Sequence, residues 1–178
     1  MISAIVLAGG RSTRMGRPKA LLPIAGKPLL THVLDALRVA CRPLVVVAPE
    51  DAPLPPLADV LRVHDPPERE GPLRAFALGL AAVSTREVFL TGCDNPWVSA
   101  GLVALLGGAR GTADVAVAAD ADGRHNCLAS VVDRERAQAA AEAALAEGQR
   151  SLRACFARLR VETLVDTDAC RDLDTPTA

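Results

Sequence analysis

The stretch ISAIVLAGG, residues 2–10, sets the reading of everything that follows it. Residues 2–8 are apolar or small, and the run is cut off by Gly9 and Gly10, so it reads as a buried strand feeding a tight loop. A strand apolar on both faces needs helices on both sides, and the chain supplies them in alternation. PLLTHVLDALRVA (28–40) opens with proline and places Leu30, Val33, Leu34, Leu37 and Val39 near one face, which predicts a helix with Pro28 in its first turn. Strands are expected at 43–48, 59–64, 87–92, 113–119, 127–132 and 161–165. Helices are expected over 71–83, over 100–107 behind a Ser99 cap, over 134–146, and from a Ser151 cap to about Leu159. Residues 49–58 hold four prolines and read as a surface loop.

Strand–helix alternation of this kind predicts an α/β domain of three layers, Rossmann-like, with a mostly parallel sheet. The D-G turn in DADGR (120–124), between two strand candidates, adds an antiparallel hairpin in the C-terminal half. A single domain over residues 1–178 is expected, since no repeat or long linker interrupts it.

Composition narrows the function classes. Half the residues are apolar, and only Phe76, Phe89, Phe156 and Trp97 are aromatic. With a formal net charge of −1, the chain lacks both the basic field and the stacking platforms of a nucleic-acid binder. No apolar run is long enough for a membrane span and no leader pattern opens the chain, so a cytoplasmic protein is expected. The five cysteines (Cys41, Cys93, Cys127, Cys155, Cys170) form no C-x-x-C and no disulfide framework.

The loop after the first strand carries Arg11, Arg14, Arg17 and Lys19. Glycines let backbone amides approach a ligand closely, and the cations suit phosphate oxygens. Neither G-x-G-x-x-G nor G-x-x-x-x-G-K-[ST] is present, which excludes the dinucleotide fingerprint and the Walker loop. The stretch LAGGRSTRMGRPKALL (7–22) instead resembles the signature of the Rossmann-like NTP transferases, and among them the molybdenum cofactor guanylyltransferases. The resemblance implies that the backbone at Leu7, Ala8, Gly9 and Gly10 holds the nucleotide, that Lys19 contacts the triphosphate, and that Arg14 is the motif arginine. The double glycine matches guanylyltransferases, whereas GRPK is the spelling common in cytidylyl-transferring relatives.

Polyphosphate chemistry calls for a cation, usually Mg²⁺, held by oxygen ligands. From the residues alone, Asp94 in FLTGCDNPWVS is the best placed carboxylate, just past a buried strand at the same sheet edge as the glycine loop, or else a turn former with Asn95 before Pro96. The resemblance makes Asp94 the ligand of Mg²⁺ and nucleotide, and Asp65, in VHDPPEREGPL, a contact of the guanine nucleotide. It also assigns the C-terminal half to the acceptor, with Arg124, His125 and Asn126 after the D-G turn, and Asp174 in DLDTP, as candidate contacts. His32 and His64 read as structural.

The implied reaction moves GMP from GTP to the phosphate of molybdopterin or the molybdenum cofactor, releasing pyrophosphate. Arg14, Lys19 and Asp94 would be the catalytic set and Mg²⁺ the cofactor. A molybdoenzyme, or a chaperone of one, would receive the product. CTP in place of GTP, another phosphorylated acceptor, and a non-catalytic carrier of the cofactor remain alternative readings.

Overall fold

The structure is a computed structural model and describes residues 1–9, 18–66 and 71–165. Its main sheet has seven strands in the order β5-β4-β1-β6-β8-β7-β9. These are β1 (Ile2–Leu7), β4 (Cys41–Pro49), β5 (Leu61–Asp65), β6 (Glu87–Gly92), β7 (Val115–Ala119), β8 (His125–Asp133) and β9 (Val161–Val165). All neighbours pair in parallel except β8, which runs antiparallel to both β6 and β7. A two-stranded ribbon, β2 (Pro23–Ile24) with β3 (Lys27–Pro28), stands apart.

Two apolar layers fill the space between sheet and helices. On one face Ala4, Val6, Val46 and Phe89 meet α1 (Leu29–Leu37) and α3 (Ala100–Arg110). On the other, Ile5, Val45, Val47 and Leu90 meet α2 (Pro72–Ala81), α4 (Arg134–Ala146) and α5 (Leu152–Phe156). The alternation of Ala4 and Val6 against Ile5 is the period-2 pattern of a strand buried on both sides. Helix α2 lies close to β1, because a Cβ at Gly79 would fall 2.7 Å from Ile5 Cγ2. Phe76 and Phe156 meet edge to face with ring centroids 6.5 Å apart, joining α2 to α5.

The three-layer, mostly parallel architecture matches the sequence reading, as do the caps. Ser99 Oγ accepts from the Leu102 amide at 3.1 Å, and Ser151 Oγ from the Ala154 amide at 3.2 Å. The D-G turn forms too: Asp120 Oδ1 accepts from the amides of Asp122 and Arg124, both at 2.9 Å, and Gly123 takes φ 77°. Several boundaries move. α1 stops at Leu37, which leaves Val39 78% exposed beyond the helix. α5 ends at Phe156, Pro49 is the last residue of β4, and β8 begins at His125. The hairpin has a second partner that the sequence did not suggest, because β8 also pairs with β6 and so closes the gap between the two halves.

The end of the sheet where the parallel strands begin is tied by charge. Arg110, 7% exposed, gives Nη2 to Glu87 Oε1 at 2.7 Å and Nη1 to the Ala113 carbonyl at 2.7 Å. Arg160 pairs with Asp114 at 2.9 Å. Among the described residues, no helix is long and apolar enough to cross a membrane.

Candidate active site

Four parallel strands end at one cavity, and each contributes its final residue: Leu7 from β1, Pro49 from β4, Asp65 from β5 and Gly92 from β6. The crevice beyond the carboxyl ends of parallel strands is where open α/β sheets take ligands. The cavity holds about 390 Å³. Gly9, Lys19, the Gly71–Pro72 entry to α2, Cys93, Asp94 and Leu128 also line it.

Lys19 enters from the short 3-10 turn Lys19–Leu21. Its Nζ donates to Asp94 Oδ2 at 3.1 Å, with the two side chains 23% and 31% exposed. Asp94 follows β6 directly, and the absence of a side chain at Gly92 makes room for its carboxylate: a Cβ there would sit 2.6 Å from Asp94 Oδ1. Asn95, not Asp94, serves the turn, its Oδ1 accepting from the Trp97 amide at 3.2 Å. A Cβ on Gly9 would meet Pro49 Cδ at 3.4 Å and Asp65 Oδ2 at 3.5 Å. Glycine at this position therefore keeps open a slot framed by a proline ring and a carboxylate.

The strand ends also limit what the backbone can offer a ligand. The Ala8 amide donates to the Val47 carbonyl at 2.8 Å, and the Leu7 carbonyl accepts from the Cys93 amide at 3.0 Å. Both groups are committed to the sheet edge, so the amide–phosphate contacts expected from this loop fall to residues beyond Ala8. Gly10 and Arg14 lie outside the described residues, as does Asp174.

Asp94 supplies oxygen chemistry suited to Mg²⁺, which is commonly held by one or two carboxylates together with substrate phosphates and water. Among the described residues no group of three or more His, Cys, Asp or Glu side chains could hold a metal ion. A cation here would therefore draw most of its ligands from the nucleotide, and the donor set fits Mg²⁺ on those terms.

Cys93 is no nucleophile. Burial pushes its thiol up to about 12, the Asp94 charge adds to this, and Lys19 only partly opposes it. Burial likewise raises Cys41 and Cys155 to about 11. An unfolded thiol ionises near 9.0 while the folded ones stay neutral. These groups therefore contribute stability below pH 9 that is lost as pH climbs toward 11. The urea midpoint should fall between pH 9 and 11, and fall less in Cys41→Val; parallel curves for the two proteins would contradict this.

A second cavity of about 380 Å³ lies beyond β8. Arg124, His125 and Cys127 line it from one side, and Arg153 and Phe156 of α5 from the other. It carries two guanidinium groups and, among its described lining residues, no carboxylate. His125 Nε2 is 3.0 Å from Thr163 Oγ1, and Asn126 Oδ1 accepts from the Leu128 amide at 3.0 Å. The two cavities share a wall: consecutive residues of β8 face one each, Cys127 the second and Leu128 the first. The structure thus brings Leu7, Gly9, Lys19, Asp65 and Asp94 together in one cavity and places Arg124 and His125 in its neighbour. His32 bonds through Nε2 to the Ile24 carbonyl, a structural contact. The sequence reading does not single out Pro49, Gly71, Gly92 or Leu128 as site residues, although the G-P-L at 71–73 follows Asp65 as it does in the family the loop resembles.

The family model for the MobA-like NTP transferase domain matches residues 4–163. The chain belongs to that family. A probable molybdenum cofactor guanylyltransferase of Mycobacterium marinum is 33% identical over 173 residues, spanning 94% of this chain and 85% of that protein. A probable molybdenum cofactor guanylyltransferase of Mycobacterium tuberculosis is 38% identical over 136 residues, 73% of this chain and 67% of the relative. In fold, the chain is similar to molybdopterin-guanine dinucleotide biosynthesis protein A of Archaeoglobus fulgidus, with TM-score 0.75 at 18% identity over 99% of this chain and 93% of that one. It is equally similar to a 2-C-methyl-D-erythritol 4-phosphate cytidylyltransferase of Thermus thermophilus, with TM-score 0.76 at 21% identity over 99% and 94%. As a member of the MobA-like NTP transferase family, the protein is an enzyme of the nucleotidyltransferase superfamily.

Proposed function

We propose that the protein transfers GMP from GTP to the terminal phosphate of molybdopterin or the molybdenum cofactor and releases pyrophosphate. The observation that carries this reading is the Lys19–Asp94 pair, 3.1 Å apart, in a glycine-lined cavity, in a chain 33% identical to a probable guanylyltransferase. The cation matches phosphate oxygens and the carboxylate matches a phosphate-bound cation. The wall of Pro49 and Asp65 offers a planar base a ring to lie against and an acceptor for its N–H groups.

An oxygen of the acceptor phosphate attacks the α-phosphorus in line. The bond from the α-phosphorus to the bridging oxygen breaks, and pyrophosphate leaves with that electron pair. A phosphate monoester near neutral pH is already anionic, so no general base is needed, and the neutral Cys93 thiol offers no competing covalent route. The chain acts by positioning and by charge. Lys19 would exchange Asp94 for the β- and γ-phosphates, and the motif arginine, Arg14, would add its charge. Asp94, freed of the lysine, would hold Mg²⁺, which when bound supplies positive charge against the phosphate oxygens. Gly92 leaves that carboxylate the space to turn. The acceptor lies across the Cys127–Leu128 wall, its far end toward Arg124 and His125.

Pyrophosphate release from each of the four NTPs with Mg²⁺ and molybdopterin tests the reading. GTP should be the productive donor. Turnover with CTP alone would reassign the base, in line with the GRPK spelling of the loop. Tight cofactor binding with no pyrophosphate from any NTP would make the protein a carrier.

A further inference from the structure

Arg62 belongs to β5, three residues before Asp65, and its side chain reaches back to the loop that leaves β4. A single nitrogen, Nη2, donates to the carbonyls of Pro49 and Glu50, both at 2.9 Å, and approaches that of Ala52 at 3.5 Å. The Ala52 amide also turns in to the Pro49 carbonyl at 3.1 Å, so the chain curls around the guanidinium. Proline chemistry explains the need. Pro49, Pro53, Pro55 and Pro56 have no N–H to give, so this loop presents more carbonyls than it can satisfy from its own backbone. Arg38 plays a similar part at the loop's other end, donating to the Ala58 carbonyl at 2.8 Å while held by Asp35 at 2.6 Å.

Only the Arg62 end touches the cavity. Pro49, whose carbonyl Arg62 grips, is paired in register with Asp65, and both stand over Gly9 at 3.4 and 3.5 Å from the position of an added Cβ. Each is the last residue of its strand, and beyond Pro49 the path of the chain is held through Arg62. From β6, which leads into Asp94, to β5, which ends in Asp65, is three strand spacings, about 14 Å. That span suits a nucleotide whose phosphates lie at Lys19–Asp94 and whose base lies between Pro49 and Asp65.

We infer that Arg62 is a positioning residue for nucleotide selection: by clamping the carbonyls of residues 49–52 it sets the width of the slot between Pro49, Asp65 and Gly9 that receives the base. It acts on the base end of the site and leaves the phosphate end alone. The inference rests on the proposed nucleotide site, and the test separates the two. Binding of GTP and of inorganic tripolyphosphate is measured by calorimetry for wild type, Arg62→Met and Arg62→Lys, alongside KM and kcat for GTP. Arg62→Met keeps much of the stem's packing and loses the donors. It should raise the Kd and KM for GTP by about tenfold, the scale of one lost hydrogen bond. Tripolyphosphate affinity should stay within about twofold and kcat at saturation should hold, since Lys19 and Asp94 are untouched. Arg62→Lys, which retains the charge and some donors, should recover part of the GTP affinity.

Unchanged GTP affinity in Arg62→Met would overturn the inference. So would an equal loss of GTP and tripolyphosphate affinity, or a lower melting temperature with no change in either. If Arg62→Met does not fold, Arg62→Lys decides alone by the same comparison. A wild type that binds neither ligand would instead sink the nucleotide site itself, and this inference with it.

Discussion

Asp94→Asn should release pyrophosphate at least about a thousandfold more slowly than wild type, with little change in stability. The scale follows from removing one pre-placed charge from a site that works by electrostatics. The variant keeps the volume, and the pocket left by Gly92 still accepts the side chain, so the geometry survives. What it loses is the charge that balances Lys19 at 3.1 Å and would hold a cation on the phosphates. Lys19 stays available to the triphosphate, so GTP affinity measured without Mg²⁺ should be unchanged or tighter. The Lys19–Asp94 pair is partly solvated, with side chains 23% and 31% exposed, so breaking it should cost no more than about 1 kcal/mol of stability. Single-turnover pyrophosphate release and a urea melt check both halves. A variant retaining more than a tenth of the wild-type rate would remove Asp94 from the chemistry.

Gly71→Ala should be the most damaging single-methyl change in the described structure, for stability and activity together. Gly71 precedes α2 with φ 85° and ψ −179°, a conformation nearly reserved for glycine that costs other residues roughly 1–3 kcal/mol. The added Cβ would also lie 2.8 Å from the Arg150 carbonyl oxygen and 3.1 Å from Arg150 Cβ. That contact cannot give way cheaply, because the same carbonyl accepts from the Leu73 amide at 3.2 Å. Relief means separating the start of α2, which lines the first cavity, from the segment before α5. A loss of about 2–4 kcal/mol is expected from strain and the weakened contact together. Chemical denaturation gives the first figure. Activity measured where the variant is still fully folded should be down by at least an order of magnitude. A near-neutral melt would show that the α2–α5 junction shifts freely.

Much of this site was legible because its chemistry is written into strand ends. ISAIVLAGG announces a doubly buried strand with a bare loop after it, and EVFLTGCD announces a second strand ending in a carboxylate; parallel pairing of Ile2–Leu7 with Glu87–Gly92 then brings Gly9 and Asp94 to one cavity. The serine caps and the D-G turn were legible for a similar reason, since each is a side chain satisfying nearby backbone. The rest depended on distant partners. Arg62 reads as any charged residue on an edge strand until the carbonyls of 49–52 fold around it. Gly92 and Gly71 matter for what a Cβ would strike, Asp94 in one case and Arg150 in the other, and neither neighbour can be inferred from local spacing. The β2–β3 ribbon escaped because two-residue strands holding Pro23 and Pro28 show no alternation to detect. Val39 was misplaced because helical spacing continues past Leu37, where the helix itself stops.

The placement of β8 has a consequence for how the protein is made. Val88–Thr91 form one flank of β6, and their partners, Ala129–Val132, come some forty residues later in the chain. During synthesis the N-terminal half therefore leaves the ribosome with an open, apolar strand edge, the kind that recruits other chains. It stays open until residue 133 has emerged and β8 can insert. The residues before and after 110 thus cannot mature one after the other as independent modules. A truncated product ending near residue 110 would present β6 as an adhesive border, and the same strand that separates the two cavities is the one that seals it.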